Sequence, residues 1–214
     1  VDEARLQQQF GAFGDRARHR AVDVSDDLAV QAAVAEATAT WGALHIAVNC
    51  AGILGPSKTL SKGQTFPPEL WNRVIGINLT GTFNVVRHAA LAMTVNEPSA
   101  EGERGVIVNT ASGAAWQGQM GQAAYSASKA GVIGLTKTLS KEWGRLKVNV
   151  NCVAFGWIET RLTEPTTEAK TIEIEGRQLA VGVGPHAVQA FSQRCPLGRP
   201  MWVQRMTRAL CSNR

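Results

Sequence analysis

The stretch Leu44-His-Ile-Ala-Val48, followed directly by Asn49-Cys-Ala-Gly52, decides the fold of this chain. A continuous, mostly apolar run is typical of a strand buried on both faces of a parallel sheet. The small residues after it predict a loop whose backbone approaches a ligand closely. Two further strands, at Val106-Ile-Val-Asn109 and over residues 147–153, are also followed by small residues.

Helical periodicity separates these strands. Apolar side chains recur at helical spacing over residues 26–41, 69–93 and 122–143. We expect Ser25 to cap the first of these helices and Gly42 to end it. A short helix over 2–13 and a short strand over 19–24 complete the pattern. Strands that alternate with helices predict an α/β fold with helices on both faces of a parallel sheet, and ligands at the carboxyl ends of its strands.

The composition is that of one ordinary globular domain. Of 214 residues, 44% are hydrophobic and 18% are charged, which excludes collagen, a coiled coil and a disordered tail. No run approaches the ~18 apolar residues of a membrane span. The net charge of +5 is spread along the chain, and no aromatic residues interleave with the basic ones. We therefore expect neither nucleic acid nor membrane among the partners.

The cysteine spacing offers neither a metal site nor a disulfide framework. Cys50, Cys152, Cys195 and Cys211 contain no C-x-x-C pair. Cys50 and Cys152 lie in apolar runs and are expected to be small buried hydrophobes. The expected compartment is the cytoplasm, with the mitochondrion as the alternative.

Tyr125 and Lys129 lie four residues apart on a predicted helix and therefore share a face. An ammonium within ~4–6 Å stabilises a phenolate and lowers the tyrosine pKa from about 10. A tyrosine tuned in this way exchanges protons near neutral pH. A Tyr-x-x-x-Lys pair also arises by chance on helix surfaces, so the neighbouring residues decide between the two interpretations.

Two neighbours favour a site. Ser112 follows a predicted strand, thirteen residues before Tyr125, where its hydroxyl can bind the same substrate oxygen. Asn78 lies inside a predicted helix, although asparagine is a poor helix former. It is either a buried amide that satisfies backbone groups or an anchor for a water molecule or a lysine.

These residues give the chain a resemblance to the short-chain dehydrogenase/reductase family. The matching stretches follow the family's order and cover about residues 2–165: Asp23-Val24, Asn49-Cys-Ala-Gly52, Ile77-Asn-Leu-Thr-Gly81, Val108-Asn-Thr-Ala-Ser112, Tyr125-Ser-Ala-Ser-Lys129 and Gly156-Trp-Ile-Glu-Thr160. Within the family, the chain resembles 3-oxoacyl-acyl-carrier-protein reductases and type 2 3-hydroxyacyl-coenzyme A dehydrogenases.

The resemblance implies a Rossmann-like doubly wound sheet and hydride transfer with NAD or NADP. Tyr125 would be the acid/base, Ser112 would polarise the substrate oxygen, and Lys129 would lower the tyrosine pKa and hold the nicotinamide ribose. Asn78 would hold a water molecule that relays protons through Lys129. Besides Tyr125 and Lys129, the implied cofactor-binding residues are Asp23, Val24, Asn49, Ala51, Gly52, Gly156, Ile158 and Thr160.

The chain also departs from the family pattern. We expect residues 1–214 to form a partial domain, without the family's glycine-rich phosphate loop and first two strands and shortened at its C-terminus. The only G-x-G-x-x-A match, over residues 182–187, is interpreted as a loop. Residues 161–195, irregular in pattern, are expected to form a substrate lid.

The expected function is oxidation or reduction at carbon 3 of an acyl thioester in fatty acid metabolism, by a homotetramer when the protein is complete. The residues leave NAD and NADP, the exact substrate and the physiological direction open. The alternative is a catalytically inactive fragment or isoform that acts as a binding or assembly partner. We expect residues 1–214 alone to be inactive, because the phosphate loop supplies the amide donors for a pyrophosphate.

Overall fold

Three parallel strands form the central sheet of the computed structural model, which describes residues 3–61, 63–156, 158, 170–174 and 177–181. They are β1 (Ile46–Asn49), β4 (Gly105–Ser112) and β5 (Val148–Phe155), in the order β1-β4-β5. Asn109 of β4 lies opposite Asn49 on one side and Cys152 on the other. The carboxyl ends of all three strands therefore meet at one edge, as the sequence predicts.

The helices, apart from the short α5, lie at the predicted positions. They are α1 (Glu3–Phe10), α2 (Asp27–Trp41), α3 (Pro68–Ile75), α4 (Gly81–Met93), α5 (Ala114–Gln117) and α6 (Ala123–Trp143). The helix predicted over residues 69–93 is interrupted by a π-helical turn, Gly76–Thr80, between α3 and α4. No helix in the described ranges is long and apolar enough to cross a membrane.

The cap of α2 differs from the predicted one by a single residue. The Asp26 side chain, not that of Ser25, accepts a hydrogen bond from the Ala29 N–H at 3.1 Å. The Ser25 hydroxyl instead donates to the Asp23 carboxylate at 2.7 Å. Gly42 ends the helix as predicted, with φ at 80°.

The strand predicted over residues 19–24 does not form. A strand needs a neighbour for its backbone groups, and no described strand pairs with this segment. Asp23 instead accepts hydrogen bonds from both the N–H and the hydroxyl of Ser25, and Asn84 of α4 donates to the Val24 carbonyl at 3.0 Å. The end of this segment therefore forms hydrogen bonds within a local turn and with α4, not with a neighbouring strand.

Two antiparallel hairpins accompany the sheet. The first joins β2 (Leu60–Ser61) to β3 (Gln64–Thr65), and the second joins β6 (Lys170–Ile174) to β7 (Arg177–Val181). The second hairpin lies within the predicted lid, where the pattern indicates only irregular structure. The rest of that lid, and the glycine match over 182–187, lie outside the described residues.

The main core lies between one face of the sheet and helices α4 and α6. Its fully buried members include Val86 and Met93 of α4, Ile107 of β4 and Val148 of β5. Burial along β1 alternates, because Ile46 and Val48 are 65% and 58% exposed. The expectation that this strand is buried on both faces is therefore wrong for the part of the chain that the structure describes.

Candidate active site

Four of the predicted site residues meet at the carboxyl edge of the sheet. Gly52 lies in the loop after β1, and a Cβ atom built on it lies 3.3 Å from the Asn78 Oδ1 atom and 3.6 Å from the Lys129 Nζ atom. The Nζ atom lies over the Tyr125 ring, 5.8 Å from its centroid. A glycine at position 52 thus leaves open the space beside the lysine head group.

Lys129 is a buried cation with one fixed attachment. Its side chain crosses from α6 to the sheet, where Nζ donates a hydrogen bond to the Thr110 carbonyl of β4 at 2.8 Å. Only 4% of the residue is exposed, and burial lowers the pKa of its ammonium; Cys152 and Cys50 act weakly in the opposite direction. The ammonium is held by a backbone group rather than by a carboxylate.

The phenol of Tyr125 is perturbed in the direction opposite to the expected one. Burial raises the pKa of the Tyr125 hydroxyl, and a hydrogen bond with the Ser112 side chain opposes that rise. Lys129 is not among the groups that shift this pKa, and its Nζ atom donates to the Thr110 carbonyl. At neutral pH the phenol is therefore protonated.

Ser112 stands at the junction of two loops. Its hydroxyl accepts a hydrogen bond from the Ala114 N–H at 3.2 Å, and the next residue, Gly113, donates its N–H to the Phe155 carbonyl at 2.8 Å. The loop after β4 is thereby fastened to the end of β5. This arrangement keeps the Ser112 hydroxyl beside the phenol of Tyr125.

Asn78 is the best satisfied polar group of the site. It lies in the π-helical turn and is fully buried. Its Oδ1 atom accepts from the Ile53 N–H at 2.8 Å, while its Nδ2 atom donates to the Ile53 carbonyl at 2.9 Å and to the Ser128 hydroxyl at 3.1 Å. Of the two interpretations of this residue, the structure shows the buried amide that satisfies backbone groups.

The Asp23-Val24 pair lies at the beginning of α4. The hydrogen bonds from Ser25 lower the pKa of the exposed Asp23 carboxyl group. Val24 packs on Gly81, where an added Cβ atom would come within 2.5 Å of the valine side chain. Gly81 therefore allows this pair to lie beside the start of α4, three residues after Asn78.

The remaining predicted residues are placed differently from one another. Asn49 is buried and its Nδ2 atom donates to the Asn109 Oδ1 atom at 2.9 Å, so its side chain points into the protein. Ala51 and Gly156 are exposed, and Ile158 is buried. Thr160 lies outside the described residues.

The two described cysteines are not the buried pair that the sequence predicts. Cys50 is exposed and Cys152 is half-buried. Apolar neighbours along the chain were a poor guide for Cys50, because it lies past the last strand residue, at the ligand edge. No group of three or more His, Cys, Asp or Glu residues that would hold a metal ion occurs among the residues that the structure describes.

Several polar residues support the site without having been predicted. Ser128 donates to the Tyr125 carbonyl at 2.7 Å, Thr110 holds Lys129, and a buried pair, Asn109 and Thr136, is hydrogen-bonded at 3.0 Å. The sequence carries one signal for them. Asn109 is a polar residue on the inward-facing side of a strand, and Thr136 follows Lys129 by seven residues, which is two helical turns.

Comparisons with known proteins identify relatives of this chain. The short chain dehydrogenase family model matches residues 2–171. The human 3-hydroxyacyl-CoA dehydrogenase type-2 is 46% identical over 156 residues, which cover 72% of this chain and 60% of that protein. The 3-oxoacyl-[acyl-carrier-protein] reductase FabG of Chlamydia muridarum is 36% identical over 151 residues, which cover 71% of this chain and 57% of the reductase.

The similarity extends to solved structures. A crystal structure of a gluconate 5-dehydrogenase from Burkholderia cenocepacia, in complex with NADP and tartrate, superposes with a TM-score of 0.75 at 29% sequence identity. The superposition covers 96% of this chain and 71% of that one. The chain thus has the fold of this dehydrogenase, and it spans about 60% of the length of the human relative.

Proposed function

The chain belongs to the short chain dehydrogenase family, and we propose that the protein carrying it is an NAD- or NADP-dependent oxidoreductase. The reaction interconverts a carbonyl and a secondary alcohol, at carbon 3 of an acyl thioester. The observation that carries the proposal is the meeting of the Tyr125 phenol with the Ser112 hydroxyl and the Lys129 ammonium. These groups lie at the carboxyl edge of a parallel sheet, where ligands bind in α/β folds.

The residues at this edge fit a dinucleotide. Lys129 uses one of its three N–H groups on Thr110, which leaves two donors for ribose hydroxyls. The absent Cβ atom of Gly52 leaves space beside those donors. When bound, the nicotinamide ring gives or takes the hydride. The residues proposed to contact the dinucleotide are Asp23, Val24, Asn49, Ala51, Gly52, Tyr125, Lys129, Gly156, Ile158 and Thr160.

The chain's own residues handle the proton. The Tyr125 hydroxyl donates its proton to the carbonyl oxygen during reduction, and its phenolate takes the proton back during oxidation. Ser112 donates a hydrogen bond to the same oxygen and disperses its developing charge. A water molecule at Asn78 would bind beside its backbone carbonyl, which accepts from the Thr82 hydroxyl at 2.8 Å.

The proposed substrate class is based on the names of the relatives. Two relatives named for 3-hydroxyacyl-CoA and 3-oxoacyl substrates share 46% and 36% of the aligned residues with this chain. Both names describe chemistry at carbon 3 of an acyl thioester. The carbon–oxygen bond there is of the kind that an acid/base tyrosine and a hydride carrier transform. The proposed compartment is the cytoplasm, with the mitochondrion as the alternative.

Self-association is proposed from the exposed side chains of α4. Phe83 and Leu91 of α4, and Val95 just beyond it, are 43%, 70% and 79% exposed. These exposed apolar side chains support the proposal of a homo-oligomer, a homotetramer in the complete protein. Val132 and Leu139 of α6 are buried within the chain itself and are not available for this contact.

The test is an activity assay of the full gene product. Turnover of 3-oxoacyl thioesters is measured with NADH and with NADPH, in the native protein and in the Tyr125→Phe variant. We expect turnover in the native protein and a ~10²–10⁴-fold loss in the variant, with cofactor binding retained. Near-normal turnover in Tyr125→Phe contradicts the mechanism. An inactive native protein favours the non-catalytic partner, and activity on sugar acids alone contradicts the substrate class.

A further inference from the structure

Three buried polar side chains form a continuous chain of hydrogen bonds beneath the site. Asn49 of β1 donates to Asn109 of β4 at 2.9 Å, and Asn109 donates to the Thr136 hydroxyl of α6 at 3.0 Å. That hydroxyl donates in turn to the Val132 carbonyl at 2.8 Å. The exposed fractions of Asn49, Asn109 and Thr136 are 9%, 0% and 6%. These hydrogen bonds therefore join β1 and β4 to α6 inside the core.

The chain of hydrogen bonds lies next to the attachment of Lys129. Asn109 immediately precedes Thr110, whose carbonyl accepts the hydrogen bond from the Lys129 Nζ atom. Thr136 lies two helical turns, roughly 10 Å, beyond Lys129 on the same helix. Consecutive residues of β4 thus hold α6 at two separate points.

Two attachments fix more than one does. The apolar packing of α6 against the sheet is not directional, and a single hydrogen bond between the helix and a strand adds a constraint at one point only. A second bond, two turns away, sets both the axial position and the rotation of α6. Replacing a buried polar pair with apolar groups of the same shape is often nearly neutral for stability, so stability alone does not require these residues. Fully satisfied buried networks specify one arrangement of the core.

We propose that Asn109 and Thr136 are positioning residues that hold α6 so that Tyr125 and Lys129 face the reacting groups. The inference rests on the proposed function and adds to it the hydrogen bonds that fix the position of α6. Loss of the Thr136 hydroxyl leaves the Asn109 amide without its acceptor in the core, and the helix must shift for that amide to find another. A displacement of 1 Å at reacting groups costs on the order of 10²-fold in rate.

The first test compares Thr136→Val, which lacks the hydroxyl, with Thr136→Ser, which keeps it. Thr138→Val, at an exposed position of α6, is the control. In the full gene product we expect Thr136→Val to lower kcat about 10- to 100-fold. KM should stay the same, because the Asn49–Asn109 bond remains. Thr136→Ser and Thr138→Val should match the native protein. A native kcat in Thr136→Val overturns the proposal.

The second test needs no turnover and separates this inference from the proposed function. Lysine acylation followed by mass spectrometry gives the labelling rate of Lys129 relative to the exposed Lys137 and Lys141 of the same helix. We expect Thr136→Val to raise the relative rate for Lys129 about tenfold. If the native protein is inactive, the proposed function fails, and this ratio alone decides the inference.

A core variant separates positioning from simple destabilisation. Val86 is fully buried between α4 and the sheet, away from the hydrogen bonds of α6. Val86→Ala should lower stability without changing the relative labelling rate of Lys129. Thr136→Ala replaces Thr136→Val if the latter does not fold. An unchanged labelling ratio overturns the proposal, as does failure of both Thr136 variants to fold where Val86→Ala folds.

Discussion

Replacing Asn78 with alanine will detach the loop after β1 from the helices that carry the site. The amide of this fully buried side chain holds both backbone groups of Ile53, at 2.8 and 2.9 Å, and the Ser128 hydroxyl at 3.1 Å. Ser128 in turn donates to the Tyr125 carbonyl. Alanine offers no polar atom to any of them, so one substitution removes three hydrogen bonds from a single place.

The structure sets the size of the effect. A buried polar group without a partner costs ~1–3 kcal/mol, and the half-buried position of Ile53 puts each of its two groups near the lower limit. The volume lost between asparagine and alanine adds roughly 1 kcal/mol. We expect Asn78→Ala to lower the free energy of unfolding by about 3 kcal/mol.

Urea unfolding followed by tryptophan fluorescence measures this difference. Asn72→Ala is the matched control, because Asn72 is an exposed asparagine of α3. It should stay within ~0.5 kcal/mol of the native chain, as surface substitutions do. If Asn78→Ala also stays within that range, the amide does not contribute to the free energy of unfolding, and the argument from its three hydrogen bonds is refuted.

The other predictions concern charge, the phenol and assembly. Burial lowers the pKa of Lys129, so its charge costs stability below that lowered pKa, and the cost disappears as the pH rises toward the ordinary value. Lys129→Met should therefore not lower the free energy of unfolding near neutral pH, yet it should weaken nucleotide binding more than Tyr125→Phe does. Calorimetry that gives equal affinities for the two variants would remove the ribose role. Burial raises the pKa of Tyr125, so tyrosinate difference absorbance of residues 1–214, with Tyr125→Phe as the blank, should give a midpoint above the ordinary value of about 10. A midpoint below 10 contradicts the effect of burial. Leu91→Glu places a charge among the exposed apolar side chains of α4 and should lower the oligomer mass found by light scattering. An unchanged oligomer mass argues against that interface.

The ends of the strands and the helix face were predictable because they depend on residues close together in the sequence. Apolar runs mark β1 and β4 directly, and a spacing of four puts Tyr125 and Lys129 on one face whatever surrounds the helix. The small residues after each strand then had to meet, because parallel strands end at one edge. Only local pattern and topology enter this reasoning.

The partners of the polar groups were not predictable from local pattern. The cap of α2 is the second of two adjacent polar residues, Asp26, while Ser25 is hydrogen-bonded to Asp23. The amide of Asn78 depends on Ile53, 25 residues away, and the strand over residues 19–24 lacked a described neighbour. Each of these outcomes depends on hydrogen bonds whose partners a local sequence pattern does not identify.

The pKa of Tyr125 shows how this difference bears on mechanism. Spacing alone predicted that the Lys129 ammonium would lower it, but the structure shows burial raising it while the ammonium donates to Thr110. A general acid/base works best with a pKa near the working pH. A kinetic pKa of the full gene product near 7 would lie below the pKa of the buried phenol in the free chain. The ternary complex would then lower the pKa of the phenol, by bringing the lysine charge close to the phenol oxygen. Tuning of the tyrosine then belongs to the bound state, and the free chain contributes the lysine, its fixed attachment and the space that Gly52 leaves beside it.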